Sequence, residues 1–365
     1  MRRIPFLLVV LVLVLATSAR AQPTAVCDVT RGVWSTQASI PTPIVRAWGA
    51  YFPDNGRFYA LGGRTSDLAG SDLLNPREYD PATGLWATKT ASFANNQVNN
   101  MVGGVLDLVG NRVIVLVGGS AAGATSATAE VRYYDPIADT MLTITTDPWP
   151  GIGAGNVLPG GAAVHGNKLY VLGGFQISTG MEDAIWEYDP TAAAGSRWTL
   201  LPEGLATPLG YIPAASVGNF VYALGGSSWD GTTLVDSTVA ARIDPVVGTV
   251  TPVTSLPRAT AETRAVAQTD GTIWVLGGGR TLPNPSAQVD IYDPVGDSWT
   301  TGPPMLTARR NLAADVDPAT GDVFAAGGYD SSGVTPLAVF EVLTCVIFVD
   351  GFESSDTTAW TLTVP

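Results

Sequence analysis

Leu169-Tyr170-Val171-Leu172-Gly173-Gly174 is an apolar run closed by two glycines, and the chain contains six versions of it. The others are Phe58-Tyr59-Ala60-Leu61-Gly62-Gly63, Val115-Leu116-Val117-Gly118-Gly119, Val221-Tyr222-Ala223-Leu224-Gly225-Gly226, Ile273-Trp274-Val275-Leu276-Gly277-Gly278 and Val323-Phe324-Ala325-Ala326-Gly327-Gly328. Their first glycines stand at 62, 118, 173, 225, 277 and 327, in steps of 56, 55, 52, 52 and 50 residues. Glycine tolerates positive φ and has no Cβ, so each doublet marks a strand end that turns sharply where a neighbour crowds in. A repeat near fifty residues, made of short β elements, predicts the blades of one propeller and not a string of separate domains.

The crowding neighbour is expected to be the aromatic–acid pair that follows: Tyr79-Asp80-Pro81, Tyr134-Asp135-Pro136, Tyr188-Asp189-Pro190 and Tyr292-Asp293-Pro294, with Ile243-Asp244-Pro245 as a weaker copy. Each Asp-Pro suits a tight turn, the carboxylate capping backbone N–H groups and the proline presetting φ. A tryptophan follows the turn in three copies, Trp86, Trp198 and Trp299. Doublet, Tyr-Asp-Pro and Trp in this order resemble the kelch repeat over roughly residues 27 to 345. The resemblance implies one four-stranded blade per repeat around a central axis. The expected fold is therefore an all-β, six-bladed kelch-type β-propeller.

Small residues mark the innermost strands, as in Ala47-Trp48-Gly49-Ala50, Gly160-Gly161-Ala162-Ala163, Ala214-Ala215-Ser216 and Ala313-Ala314. Blades 2 and 4 replace the outer tryptophan by Met141-Leu142 and Val250, so their outer edges depart from the pattern. The sixth repeat has a third strand at Leu337-Ala338-Val339-Phe340-Glu341-Val342, but neither an Asp-Pro turn nor a tryptophan after it. Its missing fourth strand is found at the other end of the chain, in Gly32-Val33-Trp34-Ser35. The last blade is thus expected to be closed by the N-terminal strand, which removes the sheet edges that invite aggregation.

Residues 1–21 read as a secretory signal: Arg2 and Arg3, an apolar run from Ile4 to Ala16, then Ala19-Arg20-Ala21 as a cleavage site. That run is shorter than a membrane-spanning helix needs, so export to the periplasm or the medium is expected. In such a compartment the two cysteines, Cys27 and Cys345, are expected to pair and staple the closing blade; two separate thiols are the alternative. Residues 346–365 read as a short tail. Only 14% of residues are charged, against about 25% in an average domain, and 41 glycines and 26 prolines indicate many turns. The formal charge of −13 argues against nucleic acid or an anionic membrane surface as partner. A monomer that binds protein or carbohydrate is expected.

Chemistry is sparse. The one histidine, His165, falls on a turn, so no Ser-His-Asp triad, His-Cys zinc set or two-histidine copper site can be assembled. Within the family it resembles, the galactose-oxidase-like and glyoxal-oxidase-like enzymes use two histidines and a cysteine-linked tyrosine on copper, a set that one histidine cannot supply. Asp67, Asp72, Asp230, Asp236 and Asp330 lack the spacing of a calcium loop, so neither metal nor cofactor is expected.

Function is expected where the loops between blades meet the loops after the glycine doublets. The first set supplies Arg46, Asn99, Asn100, Tyr211, Glu262, Arg264, Arg309 and Arg310; the second supplies Arg64, Phe175, Gln176, Trp229, Asp230, Arg280, Tyr329 and Asp330. Arginines, amides and aromatics converging on an axis suit a carbohydrate or a carboxylate-bearing ligand, unless the arginines only pair with acids of neighbouring blades. The main expectation is a non-catalytic scaffold that binds protein or glycan. The alternative is a sugar-modifying enzyme, since size, blade count and export are similar to those of the kelch sialic-acid mutarotases. There Glu262, with Arg46 or Arg309, would supply acid and base groups.

Overall fold

Six four-stranded antiparallel sheets follow one another along the chain, each a blade with its first strand at the axis. The computed structural model describes residues 32–280 and 284–344. Blade 1 runs outward through Trp48–Phe52, Arg57–Leu61, Arg77–Asp80 and Leu85–Thr88. Blades 2 to 5 repeat this order over 102–144, 157–200, 214–252 and 264–301. Blade 4 adds a hairpin, Ser227–Trp229 with Leu234–Asp236. Blades 2 and 4 form their outer strands, Thr140–Ile144 and Thr249–Pro252, without the tryptophan, because Met141 and Val250 pack against the interblade cores instead.

The second strands are apolar throughout because neighbouring blades cover both their faces: Phe58, Tyr59, Ala60 and Leu61 are all buried. Outer strands such as Ser298–Thr301 are largely exposed. Each core cluster is shared between adjacent blades. Phe58 of blade 1 lies 5.5 Å from Phe324 and 5.9 Å from Phe340 of blade 6, rings stacked, with Tyr79 edge-on to Phe340 at 4.5 Å. No blade has a complete core of its own.

The ring closes as the sequence indicated. Val33–Thr36 lies outermost in blade 6, pairing Val33 with Thr344, Trp34 with Leu343 and Thr36 with Glu341. Trp34 also does what the other outer tryptophans do. Its indole N–H donates to Pro303 O at 2.9 Å, as Trp86 does to Ala38 O, Trp198 to Asp147 O and Trp299 to Thr254 O at 2.8–3.0 Å. In each case the outer strand is tied to the linker that enters its own blade. The repeat thus survives across the break between the two ends of the chain.

The glycine doublets are crowded, but not by the tyrosines. A Cβ on the first glycine would lie 2.4 Å from Val98 O at Gly62, 2.3 Å from Leu209 O at Gly173, 2.4 Å from Thr260 O at Gly225 and 2.2 Å from Ile44 O at Gly327. These carbonyls belong to the entry loop of the next blade, and the second glycine's N–H bonds the same oxygens at 2.8–3.0 Å. The doublet is therefore a backbone-to-backbone joint between blades. The tyrosines pack instead on their own blade's tryptophan, Tyr188 on Trp198 at 4.8 Å and Tyr292 on Trp299 at 5.0 Å. The Asp-Pro turns form as expected, Asp135 and Asp244 each accepting two backbone N–H groups.

The signal reading of 1–21, Cys27, Cys345 and the tail 346–365 lie outside the described residues. Among the described residues no helix is long and apolar enough to cross a membrane.

Candidate functional site

Five blades place a non-glycine residue in the left-handed region just before the innermost strand: Arg46 (φ 61°), Asn100 (57°), Tyr211 (52°), Glu262 (54°) and Asn311 (53°). There the backbone passes hydrogen bonds from blade to blade. Asn100 N–H reaches Arg46 O at 3.0 Å, Arg46 N–H reaches Asn311 O at 2.9 Å, Asn311 N–H reaches Glu262 O at 2.5 Å and Glu262 N–H reaches Tyr211 O at 3.2 Å. Blade 3 departs, its long first strand Val157–His165 carrying Pro159, and Ile212 N–H bonds Gly160 O at 2.7 Å. A left-handed non-glycine residue costs about 1–3 kcal/mol and persists only where its surroundings over-determine it. Here the ring of hydrogen bonds does so, and it narrows the axis to a void of about 20 Å³.

On the loop side of this ring, the side chains of blades 5, 6 and 1 form a charged sector. Glu262, whose side chain is fully buried, accepts from Arg280 at 3.0 Å and pairs with Arg310. Arg310 lies over the Tyr329 ring, 5.2 Å from its centre, and Arg46 approaches the same ring at 5.7 Å while donating to Asn100 Oδ1 at 3.1 Å. Arg64 pairs with Asp67 and donates to the Tyr329 hydroxyl, which itself donates to Asp67. Burial, and then the Arg46 charge, depress the basicity of Arg280 and Arg310 below that of an ordinary arginine. Asp67 is held below the usual carboxylate range: burial opposes this, but the Tyr329 hydroxyl and the Arg64 guanidinium outweigh it.

Blades 3 and 4 contribute the other half of the face, which is aromatic. Phe175 packs 5.6 Å from Tyr211 and 5.9 Å from Trp229, the latter carried on the extra hairpin of blade 4. Arg46, Asn100, Tyr211, Glu262, Arg310, Arg64, Trp229, Arg280 and Tyr329 thus meet at one end of the axis, as their positions in the repeat implied.

Two expected members do not join them. Arg309 is completely buried within blade 6, ion-paired to Glu341 at 3.0 Å and donating to Gly327, Val339 and Ala325 carbonyls. Successive side chains on an extended backbone point to opposite sides, so Arg310 faces the loops and Arg309 the interior. Arg264, two residues past the ring position of its blade, lies beneath the ring on the opposite side. Its guanidinium sits 4.5 Å from the centre of the Trp48 ring. Glu262 is clamped between two arginines, and of its two suggested partners Arg46 lies on the same face while Arg309 is turned away. Asn99 bonds Asp72 at 2.6 Å and Ser120 O at 2.8 Å, a structural link. Asp230 and Asp330 cap their own turns, and no group of metal-ligating side chains occurs among the described residues. His165, at the other end of the axis, meets Ser216 Oγ at 3.0 Å.

Sequence reasoning missed Asn311. The signal was available, since Asn311 precedes Leu312-Ala313-Ala314 as Arg46 precedes Ala47-Trp48-Gly49.

A family model described as the Kelch motif matches residues 263–306, the whole of blade 5. Kelch-like protein terF of Aspergillus terreus is 29% identical over 148 residues, which are 38% of this chain and 32% of that protein. Kelch-like protein 21 of Mus musculus is 31% identical over 144 residues, 37% of this chain and 20% of that protein. The matched segments span about a third and a fifth of these relatives.

Proposed function

Because the chain belongs to the kelch-repeat family, we propose that it is a non-catalytic, protein-binding scaffold that engages its partner across the loop end of the axis. One observation carries this: four arginines and Tyr329 from three consecutive blades adjoin an aromatic patch from two others, in a chain whose formal charge is −13. A local cationic sector on an acidic body steers an acidic segment to one place and repels it elsewhere. Arg280, whose side chain is 33% exposed, presents guanidinium surface to the face while paired, which suits carboxylates and backbone carbonyls. Tyr211 and Trp229, half-buried over Phe175, suit an apolar anchor beside them. Acidic glycans share the carboxylate chemistry, so they serve as the competing ligand class in the test.

Parallel peptide and glycan arrays, probed with the full chain and with Arg64→Ala and Trp229→Ala, test the proposal. Both substitutions are peripheral to the ring. The expected result is retention of acidic peptides carrying an aromatic or aliphatic residue, weakened by about tenfold in each variant. Peptide binding that both variants retain unchanged overturns the assignment of this face, and binding confined to glycans overturns the protein-binding class.

A further inference from the structure

We propose that the channel on the far side of the ring is a second binding site, one for a small organic monoanion with an apolar body seated against Arg264 and Trp48. The channel encloses about 410 Å³, within the roughly 300–1,000 Å³ of sites for small molecules. Its walls are the innermost strands, with Gly49, Gly104, Ala162, Ala214 and Ala265 facing the space. Small residues predominate where six strands converge, with Trp48, Tyr51 and Ile212 as bulkier exceptions, and the glycines let strands approach closely: a Cβ on Gly49 would lie 2.4 Å from Ala314 N and one on Gly104 2.2 Å from Val164. The ring closes the channel at the Arg264 end, since Arg264 also lines the narrow void there.

Arg264 differs from Arg258, Arg309 and Arg280, and resembles Arg46, which has Asn100 and the Tyr329 ring but no carboxylate in contact. Arg258 has Asp290 at 2.8 Å, Arg309 has Glu341 at 3.0 Å, and Arg280 has Glu262 at 3.0 Å. Among the described residues Arg264 has no carboxylate partner. Its Nη2 donates to Ala47 O at 3.0 Å and its Nη1 to Thr263 O at 3.4 Å, its guanidinium lies over the Trp48 ring, and its Nε is buried without an acceptor. The indole Nε1 of Trp48 is likewise buried and without an acceptor. A buried cation without a counter-charge is costly, and burial lowers the Arg264 pKa to about 10, which still leaves it charged at neutral pH. A carboxylate entering the channel would supply the missing charge and accept from the guanidinium edge, with its apolar body against the glycine and alanine walls.

The geometry also limits the ligand. Arg264 and Asp315 are the two charged residues lining the channel. Asp315 accepts the Tyr51 N–H at 2.7 Å, three residues beyond Trp48 along the same strand and so about 10 Å nearer the mouth. One cation at the closed end and an acid nearer the entrance favour a single negative charge with an uncharged tail. They disfavour phosphates and other polyanions.

Isothermal titration of the full chain with benzoate and hexanoate, each compared with its neutral counterpart, benzyl alcohol and hexan-1-ol, tests the site without any variant. Expected is saturable binding of at least one carboxylate, about tenfold or more tighter than its alcohol, and lost by about tenfold in Arg264→Gln. Equal binding of acid and alcohol, no binding of either acid at millimolar concentration, or an Arg264→Gln protein that binds like the wild type overturns the proposal. If Arg264→Gln does not fold, the acid–alcohol comparison on the wild type still decides. The outcome is independent of what docks on the loop face.

Discussion

The two ends of the axis are built from the same residue types and solve opposite problems. On the loop side, Arg280 and Arg310 share one buried carboxylate, Glu262, and Arg64 has Asp67, so three of the four arginines have an acid beside them while the sector as a whole keeps positive charge in excess. On the channel side Arg264 stands alone among glycines and alanines, with an indole for company. Between them lies a ring of backbone hydrogen bonds. The difference teaches that arginine near a propeller axis is not one signal. A matched arginine holds loops in place, whereas an unmatched one leaves an interior electrostatically incomplete.

The comparison can be broken most directly at Glu262. Glu262→Gln removes the charge that two arginines share at a fully buried carboxylate, and about 3–5 kcal/mol of stability should go with it, read as a lower urea midpoint. A midpoint within error of wild type would mean that the loop-side arginines are not held by that acid.

The channel side can be sharpened through Asp315, whose carboxyl burial pushes up to about 6, against the opposing pull of the Tyr51 and Val316 N–H groups. Its folded pKa lies above the unfolded value of about 3.9, so its contribution is fully present in acid and is lost as pH rises through about 6. Relative to Asp315→Asn, the wild type should lose on the order of 2 kcal/mol between pH 4 and pH 7.5 in matched denaturant titrations. A difference that stays flat across that window would show that the carboxyl is solvated as if exposed.

The smallest effect is expected at the rim. Asp67 has a side chain 59% exposed, so Asp67→Asn should change stability by less than about 1 kcal/mol, and by still less at high salt. A loss comparable to that at Glu262 would erase the distinction between rim and ring.

Blade number, strand order and the join between the two ends were legible in the residues. Glycine doublets, Asp-Pro turns and outer tryptophans are local demands on backbone and packing, and they recur at a fixed step. Trp34 could be assigned to the last blade because the sixth repeat lacks a tryptophan strand and Gly32-Val33-Trp34-Ser35 precedes the first; in the structure it bonds a linker carbonyl, as its three counterparts do. What crowds the doublets was misjudged, since the partner is a carbonyl, and every residue has one. A main-chain oxygen such as Val98 O leaves no trace in side-chain pattern.

The site was legible in outline and not in its register. Arg309 and Arg310 are neighbours in sequence, yet one is an interior ion pair and the other a loop-face cation. Arg264 is near the axis, as the repeat implied, but two residues of strand put it beneath the ring. The pattern of residues along this chain was enough to specify six wedges and which loops gather at one end, because those follow from contacts made within one repeat or between adjacent ones. Which arginine is neutralised, which is left bare and where the axis closes depended on folding. Those outcomes are set by hydrogen bonds such as Arg46 to Asn311, between residues far apart in the chain that meet only when the circle is complete.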